Sequence, residues 1–289
     1  MKTATAKSDL LSSFALKIIA CLLMTLDHAA LLFVDPVNQY PIYYALRAIG
    51  KISFPIFAYL AFRGAYQTHN ARNYLLRLFF LSIALDAFSF LLGGIRHIPV
   101  ADNPLVGNAF TDMFLGVLLV TLLKRKDRFS FLAILPIAYA FFSTVAISPE
   151  YGTLFKTDWG FFSIILFLSF FIGKEICDYL LVYKAKSDGV DERLYLDESG
   201  FFYEKVTSCV ALFFTEALFY LIFRLDNTSF LLPNQFVPIG TYSLLAVVFI
   251  LLSSPKKGYA SKYIQYGFYA YYPFHILLLG VIAIGLGYL

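Results

Sequence analysis

The sequence predicts an all-α fold, a polytopic transmembrane helical bundle of about nine spans, within a range of eight to eleven. The 289 residues are 60% hydrophobic and only 15% charged, and their mean hydropathy is +0.72. Apolar runs recur at about the 20 residues that a helix needs to cross a bilayer. No polar stretch is long enough to form a domain of its own, so we expect one integral membrane domain over residues 1–289.

Nine apolar runs define the expected spans. They cover residues 14–34, 41–62, 73–93, 105–123, 129–147, 160–182, 205–223, 237–253 and 266–287. The first run follows two lysines as a signal peptide would, but it is too long for one and contains Asp27 and His28, so we expect an uncleaved span. The sixth run is the weakest, because charged residues follow "GFFSIILFLSFFIG" directly. We expect it to end early and to continue as an interfacial helix.

Basic residues are distributed unequally between alternate loops. One set of loops carries basic clusters near 63–77, at 124–128 ("KRKDR"), at 184–205 and at 256–262, whereas the opposite loops hold three basic residues. Positive charge marks the cytoplasmic side, so we expect a cytoplasmic N-terminus and a multi-pass protein of the bacterial cytoplasmic membrane. The same placement excludes nucleic-acid binding as the reason for the net charge of +4. Residues 184–204 are expected to form a polar cytoplasmic loop.

Ionisable side chains occur inside several of the expected spans, where a Lys or Asp costs about 2.5–3.5 kcal/mol on the mildest insertion scale. They are Asp27, His28, Arg47, Lys51, Asp86, Asp112, Glu216 and His275. Each has a structural alternative: interhelical ion pairing for Asp86 and Glu216, and snorkelling for Arg47. His275 fits a hydrogen-bonded core position. Together the groups exceed what helix packing requires, and they predict a polar cavity within the bundle.

His28 is the sharpest member of this set, since histidine accepts and returns a proton near neutral pH. Asp27 lies about 100° round the helix from His28 and is not expected to orient it. We expect Asp27 to face Arg47 or Lys51, which share a helix face. The sequence contains no GxSxG, HExxH or phosphate-loop motif, and its three cysteines are scattered. These patterns predict proton transfer without a metal, with His28 and Asp27 as the catalytic candidates.

Two segments resemble the TraX family of F-pilin acetylases: "LKIIACLLMTLDH" (16–28) and "LRAIGKISFPIFAYLAFRGAYQTHNARNYLLRL" (46–78). The resemblance extends through "NAFTDMFLGVLL" (108–119), "TDWGFFSIILF" (157–167) and "YGFYAYYPFHILLL" (266–279). It implies a polytopic membrane protein that transfers an acetyl group from acetyl-CoA. The family is similar to wider transmembrane acyltransferases, including lysosomal heparan-glucosaminide acetyltransferase, in which a histidine in an early span acts as base and acyl-CoA enters from the cytosol.

By matched motif, the resemblance implies that His28 is the base and that Arg47 binds substrate or stabilises charge. Gly50-Lys51 stands where the family motif reads Gly-Arg, and a lysine keeps the charge but loses the planar fork of arginine. The residues implied or expected to line the cavity and bind substrate or cofactor are Arg47, Lys51, Asn108, Thr111, Asp112, Tyr272, Pro273 and His275.

We therefore expect an acetyltransferase that moves an acetyl group from cytosolic acetyl-CoA to an amine or hydroxyl of an envelope or extracytoplasmic acceptor. The acceptor stays open among a protein N-terminus, a glycan, a lipid and a small molecule. A cytoplasmic basic rim would hold the phosphates of acetyl-CoA. Its candidates are Arg63, Arg72, Arg77, Lys124 and Arg125.

Two other classes of function stay open. Buried Asp, His and Glu side chains also form proton relays, which allows a proton-coupled transporter. The odd number of spans and the absence of inverted repeats in the sequence weigh against it. The third possibility is a non-catalytic membrane subunit of an envelope assembly.

Overall fold

The computed structural model describes residues 10–95, 107–145, 156–225 and 239–288. Within these ranges the chain is helical, and extended backbone pairs only at an isolated bridge between Leu11 and Ser253. The helices are α1 (Ser13–Phe33), α2 (Tyr40–Gly50), α3 (Ser53–Gln67), α4 (Ala71–Ile95), α5 (Ala109–Lys124), α6 (Ile134–Val145), α7 (Gly160–Asp188), α8 (Glu192–Leu225), α9 (Ala246–Leu251) and α10 (Lys262–Gly285). Short 3₁₀ helices, Ser130–Ala133 and Ile239–Leu245, lead into α6 and α9. The expected all-α class is confirmed.

Five helical segments in the described part of the chain are long and apolar enough to cross a membrane. They are Ser13–Phe33, Tyr40–Gln67, Gly160–Asp188, Gly200–Ile222 and Tyr263–Gly285. The apolar helices Ser130–Val145 and Gly240–Leu251 are shorter. Large apolar side chains such as Phe80, Phe131 and Phe213 are exposed, as expected for helices whose outer faces meet lipid. The structure is that of a multi-pass helical membrane protein.

Serine caps begin the first and last helices. Ser12 has extended backbone, and its hydroxyl accepts a hydrogen bond from the Ala15 amide. Ser261 does the same for the Ile264 amide at the start of α10. Each cap satisfies one of the amides that the first turn of a helix leaves without a partner. The start of each helix is therefore set by local sequence.

The second expected span, which lies within the membrane-length segment Tyr40–Gln67, consists of two helices joined by a turn. Helix α2 ends at Gly50, Lys51 and Ile52 form a turn, and α3 begins at Ser53. The Lys51 amide still bonds to the Arg47 carbonyl, and the Ile52 amide bonds one residue later, to Ile49. The break therefore lies beside one of the basic residues singled out in the sequence.

Residues 184–204 are largely helical, which corrects the expectation of a polar loop. Helix α7 continues without a break through the charged residues at 174–178, where Lys174 and Asp178 pair four residues apart. It ends only at Asp188, before Gly189 with a φ of +65°. The Asp191 carboxylate then accepts a hydrogen bond from the Arg193 amide at the start of α8. The reason for the difference is that glycine and a capping aspartate confine the non-helical backbone to a short turn.

Contacts between Cα atoms divide the chain into two compact units. The first contains the described residues among 1–57, 173–213 and 238–289. In it, α2 follows α1 as an antiparallel neighbour, whereas α10 lies parallel to α1, with contacts at Thr25–Tyr271, His28–His275 and Phe33–Tyr288. The second contains the described residues among 58–172 and 214–237, and its helices α4 and α5 pack antiparallel.

Candidate functional site

Three residues of the first unit form a largely shielded cluster that we call the charged trio: Asp27, Arg47 and Lys51. The Arg47 guanidinium donates a hydrogen bond of 2.6 Å to Oδ2 of Asp27, and the Lys51 ammonium lies 3.7 Å from the same oxygen. Their side chains are 13%, 5% and 14% exposed, respectively. The prediction that Asp27 faces Arg47 or Lys51 is confirmed, and both cations approach it. Such shielding strengthens the attraction between the groups and raises the cost of removing one of them.

Gly50 makes the close approach of α1 and α2 possible. A Cβ atom built on Gly50 would lie 2.6 Å from Oδ1 of Asp27 and would overlap the rest of that side chain. Any larger residue would therefore push the Asp27 carboxylate away from the cations of α2. The glycine of the Gly50-Lys51 motif has a packing function that the sequence pattern alone did not reveal.

His28, the next residue on α1, contacts His275 of α10. Nδ1 of His28 lies 2.7 Å from Nε2 of His275, and the two rings stack with their centroids 5.0 Å apart and 22° between their planes. Nδ1 of His275 lies 2.9 Å from the Tyr271 carbonyl oxygen, one helical turn earlier. His275 is buried at 3% exposure, whereas His28 is partly exposed. We call His28 and His275 the histidine pair.

Two tyrosines of α10 enclose the histidine pair. Tyr271 stacks on His275 with 5.1 Å between ring centroids, and Tyr272 presents an edge-to-face contact to both imidazoles. The Tyr271 hydroxyl also lies 2.6 Å from the Thr25 hydroxyl, one turn before His28 on α1. These contacts hold the two imidazole rings in place from both helices.

Sequence reasoning missed Thr25 and Tyr271. Thr25 is three residues from His28, and Tyr271 is four residues from His275, so each lies on the same helix face as its histidine. That spacing was a usable signal, but only with the knowledge that α1 and α10 are neighbours.

Asn108 and Thr111, expected to line a cavity, lie in the second unit and bind α4. The Asn108 amide donates to the Ser82 carbonyl at 2.8 Å and to Asp86 at 3.1 Å, while its oxygen caps α5 by accepting from the Phe110 amide. The Thr111 hydroxyl lies 2.6 Å from that of Ser82. Both residues therefore join α4 to α5.

Asp112 is fully buried and holds the start of α7. Oδ2 accepts hydrogen bonds from the Asp158 and Trp159 amides at 2.8 and 3.1 Å, and Oδ1 accepts one from the Ser163 hydroxyl at 2.6 Å. A carboxylate bonded to amides just before a helix begins acts as a cap supplied from another helix. This arrangement gives Asp112 a structural function that does not require a substrate.

The expected basic rim is not uniform. Arg63 is buried at 6% exposure and lies over the Tyr59 ring, so it does not present a cation at the surface. The Lys124 ammonium donates to the Ala65 and Tyr66 carbonyls at 3.2 and 2.7 Å, where it satisfies the last turn of α3. Arg72 and Arg125 are exposed, and Arg77 is partly buried. Arg63, an expected member of the rim, is therefore buried and does not lie at the surface.

Among the described residues, no group of three or more His, Cys, Asp or Glu side chains is arranged to hold a metal. Glu216 of α8 is buried, and its carboxylate has no hydrogen-bond partner within the described part of the chain. Of the ionisable residues expected inside the spans, the charged trio and the histidine pair lie next to each other, because Asp27 and His28 are consecutive residues of α1.

Comparison with known proteins gives two matches. A family model described as "TraX protein" matches residues 12–174, which include the charged trio and His28. The curated "Probable fimbrial assembly protein FimC, serogroup H1" of Dichelobacter nodosus is 28% identical over 158 residues, or 54% of this chain. The chain spans 60% of the length of that relative. No solved structure matches.

Proposed function

The chain belongs to the TraX family, whose model covers more than half of it, and from that premise we propose that it is a membrane acetyltransferase. It moves an acetyl group from acetyl-CoA to an amine or hydroxyl of an envelope acceptor. The observation that carries the proposal is the histidine pair beside the charged trio, within the part of a membrane helix where ionisable groups are costly. Polar groups held in such a place are functional candidates.

His28 is the general base of the proposed reaction. As the acceptor N–H or O–H attacks the thioester carbonyl, its proton passes to the imidazole of His28. The tetrahedral intermediate then collapses and breaks the C–S bond, and the departing CoA thiolate takes the same proton back. The acceptor gains the acetyl group, CoA leaves as the thiol, and the histidine returns to its starting state.

Lys51 is the proposed partner of the negative charge that develops on the thioester oxygen. Its ammonium lies 3.7 Å from Asp27, whereas Arg47 makes a short hydrogen bond to that carboxylate. A cation held in place by a fixed carboxylate requires little rearrangement when the oxyanion forms. Asp27 therefore positions the cation and does not itself exchange the proton.

The donor is proposed to enter from the cytoplasmic end of α1. His28 is fifteen residues beyond the start of α1 at Ser13, or about 22 Å along the helix. The long pantetheine arm of acetyl-CoA suits that depth, so that its phosphates would stay near the entrance at that end of α1.

The family and the curated relative, a probable fimbrial assembly protein, direct the search for an acceptor to pilus components of the envelope. Purified protein is incubated with acetyl-CoA labelled in the acetyl group and with an envelope extract from cells that lack this protein. We expect the label to reach an envelope component with the wild-type protein and not with His28→Ala. Equal labelling by both proteins contradicts the proposal. Ion-gradient-driven uptake into liposomes without acetyl-CoA turnover identifies a transporter instead.

A further inference from the structure

We infer that His275 is a positioning residue that fixes the tautomer of His28, so that Nε2 of His28 is the proton-accepting atom. The catalytic consequence rests on the proposed function, whereas the tautomer itself follows from the hydrogen bonds of the histidine pair. His275 would thus do more than line the cavity expected from the sequence.

The assignment starts at the Tyr271 carbonyl, which can only accept a hydrogen bond. Nδ1 of His275, 2.9 Å away, therefore carries a proton and donates it. A neutral imidazole has one N–H, so Nε2 of His275 holds a lone pair. His28 Nδ1 lies 2.7 Å from that lone pair and must donate to it. The Nε2 of neutral His28 is then left with its lone pair, ready to take a proton.

A main-chain carbonyl, not another titrating group, sets the donor and acceptor roles in this series of hydrogen bonds. The Tyr271 carbonyl is part of α10 and cannot reverse its role. Tyr271 is held in turn by the 2.6 Å contact between its hydroxyl and Thr25, which keeps α1 and α10 in register. Among the described residues, no second hydrogen bond of the His28 ring competes with the one that His28 donates to His275.

The same hydrogen bond stabilises His28 after it takes the proton. Both ring nitrogens of the imidazolium then carry protons, and Nδ1–H still donates to the neutral Nε2 of His275, now as a charge-assisted bond. Without His275, the neutral ring of His28 is free to carry its proton on Nε2. That nitrogen then has no lone pair with which to take the proton of the acceptor. The loss would therefore lower kcat more than it raises KM for acetyl-CoA.

Nitrogen NMR tests the tautomer without any measurement of activity. The full-length protein is labelled with ¹⁵N-histidine in a background in which His69 and His97 are replaced by Gln, so that only the histidine pair contributes signals. At alkaline pH, we expect His28 to show a protonated Nδ1 and an unprotonated Nε2, with a scalar coupling between His28 Nδ1 and His275 Nε2. A wild-type His28 that carries its proton on Nε2 overturns the inference.

Two substitutions separate positioning from packing. In His275→Gln the side-chain carbonyl replaces the acceptor, so we expect His28 to keep its Nδ1 proton. In His275→Ala no acceptor remains, and the His28 proton moves to Nε2. An unchanged His28 tautomer in His275→Ala overturns the inference. If His275→Ala does not fold, the wild-type spectrum and that of His275→Gln decide the question.

Enzyme kinetics then test whether His275 contributes to the rate of acetyl transfer. His275→Ala should lower kcat for acetyl transfer by at least about tenfold, up to the 10²–10⁴ expected for a base, with KM changed less than threefold, and His275→Gln should restore most of the loss. If the wild-type protein shows the inferred tautomer but transfers no acetyl group, the proposed function fails and the tautomer assignment stands. Acetyl transfer with equal kcat in all three proteins overturns the positioning role alone.

Discussion

The Asp27 carboxylate of α1 accepts a 2.6 Å hydrogen bond from the Arg47 guanidinium of α2, and both side chains are almost entirely shielded from solvent. Lys51 approaches the same oxygen from one turn further along the chain. The bond joins two antiparallel helices at the residue that directly precedes His28. The position of the proposed base therefore depends on an ion pair that is not itself part of the proton transfer.

Removing one member of this ion pair should be costly. We expect Asp27→Ala to lower the free energy of unfolding by about 3–5 kcal/mol, because the buried Arg47 and the largely shielded Lys51 lose the carboxylate that they face. Equilibrium unfolding in mixed micelles measures this change in the free energy of unfolding. The double variant Asp27→Ala/Arg47→Ala should lose less unfolding free energy than the two single variants lose together. If the losses are strictly additive, the two side chains do not interact.

Gly50 should tolerate no side chain. Gly50→Ala introduces a Cβ atom within 2.6 Å of Oδ1 of Asp27, so we expect a loss of about 1–3 kcal/mol from overpacking, together with reduced activity. Gly267→Ala in α10 is the matched control, since nothing lies within 4 Å of its added Cβ atom. Equal thermal stability of the two variants would contradict the packing described for α1 and α2.

His28→Ala should abolish acetyl transfer while expression and thermal stability stay close to wild type. A positioned base contributes about 10²–10⁴ in rate, and the partly exposed His28 ring leaves a smaller packing defect than a fully buried one. The rate of label transfer from acetyl-CoA checks this. If His28→Ala keeps more than about a tenth of the wild-type rate, which is outside that range, His28 is not the base.

Asp112 should matter for stability more than for substrate binding. Asp112→Ala leaves the Asp158 and Trp159 amides without the acceptor that they share, whereas the Ser163 hydroxyl can still donate to the Gly160 carbonyl. We expect a loss of about 1–3 kcal/mol in the free energy of unfolding, mainly from the buried Trp159 amide. The exposed Asp188 provides the control, since Asp188→Ala should leave the melting temperature unchanged. A normal melting temperature with a raised KM for acetyl-CoA would instead return Asp112 to the substrate site.

The expected orientation can be tested with single cysteines at two exposed turns. Val190→Cys should react with an impermeant thiol reagent only from the cytoplasmic side, and Val37→Cys only from outside, because the basic loops mark the cytoplasm. The native cysteines Cys21, Cys177 and Cys209 are buried and should contribute little background. The parallel course of α1 and α10 supports an odd number of crossings between them, as in the nine-span map. Labelling from the opposite sides would discard that orientation.

Local features of the sequence determined the helices of this protein and one of its contacts. Apolar runs marked most of the helical residues, because burial in lipid or protein depends on composition over a short window. They did not mark the polar start of α8 at 192–204. The four-residue spacing of Arg47 and Lys51, on the span that follows Asp27, was enough to predict that Asp27 faces one of these two cations. Such features act within a helix or between consecutive helices.

Only the tertiary structure decided which distant helices meet. His28 and His275 are 247 residues apart, and no local pattern shows that α10 returns to lie parallel to α1. It also decided that Asn108, Thr111 and Asp112 bind neighbouring helices, and that the second span breaks at Lys51. The physical reason is that hydrophobicity and helix propensity are properties of a segment, whereas the choice of neighbours depends on the shapes and polar groups of all the helices together.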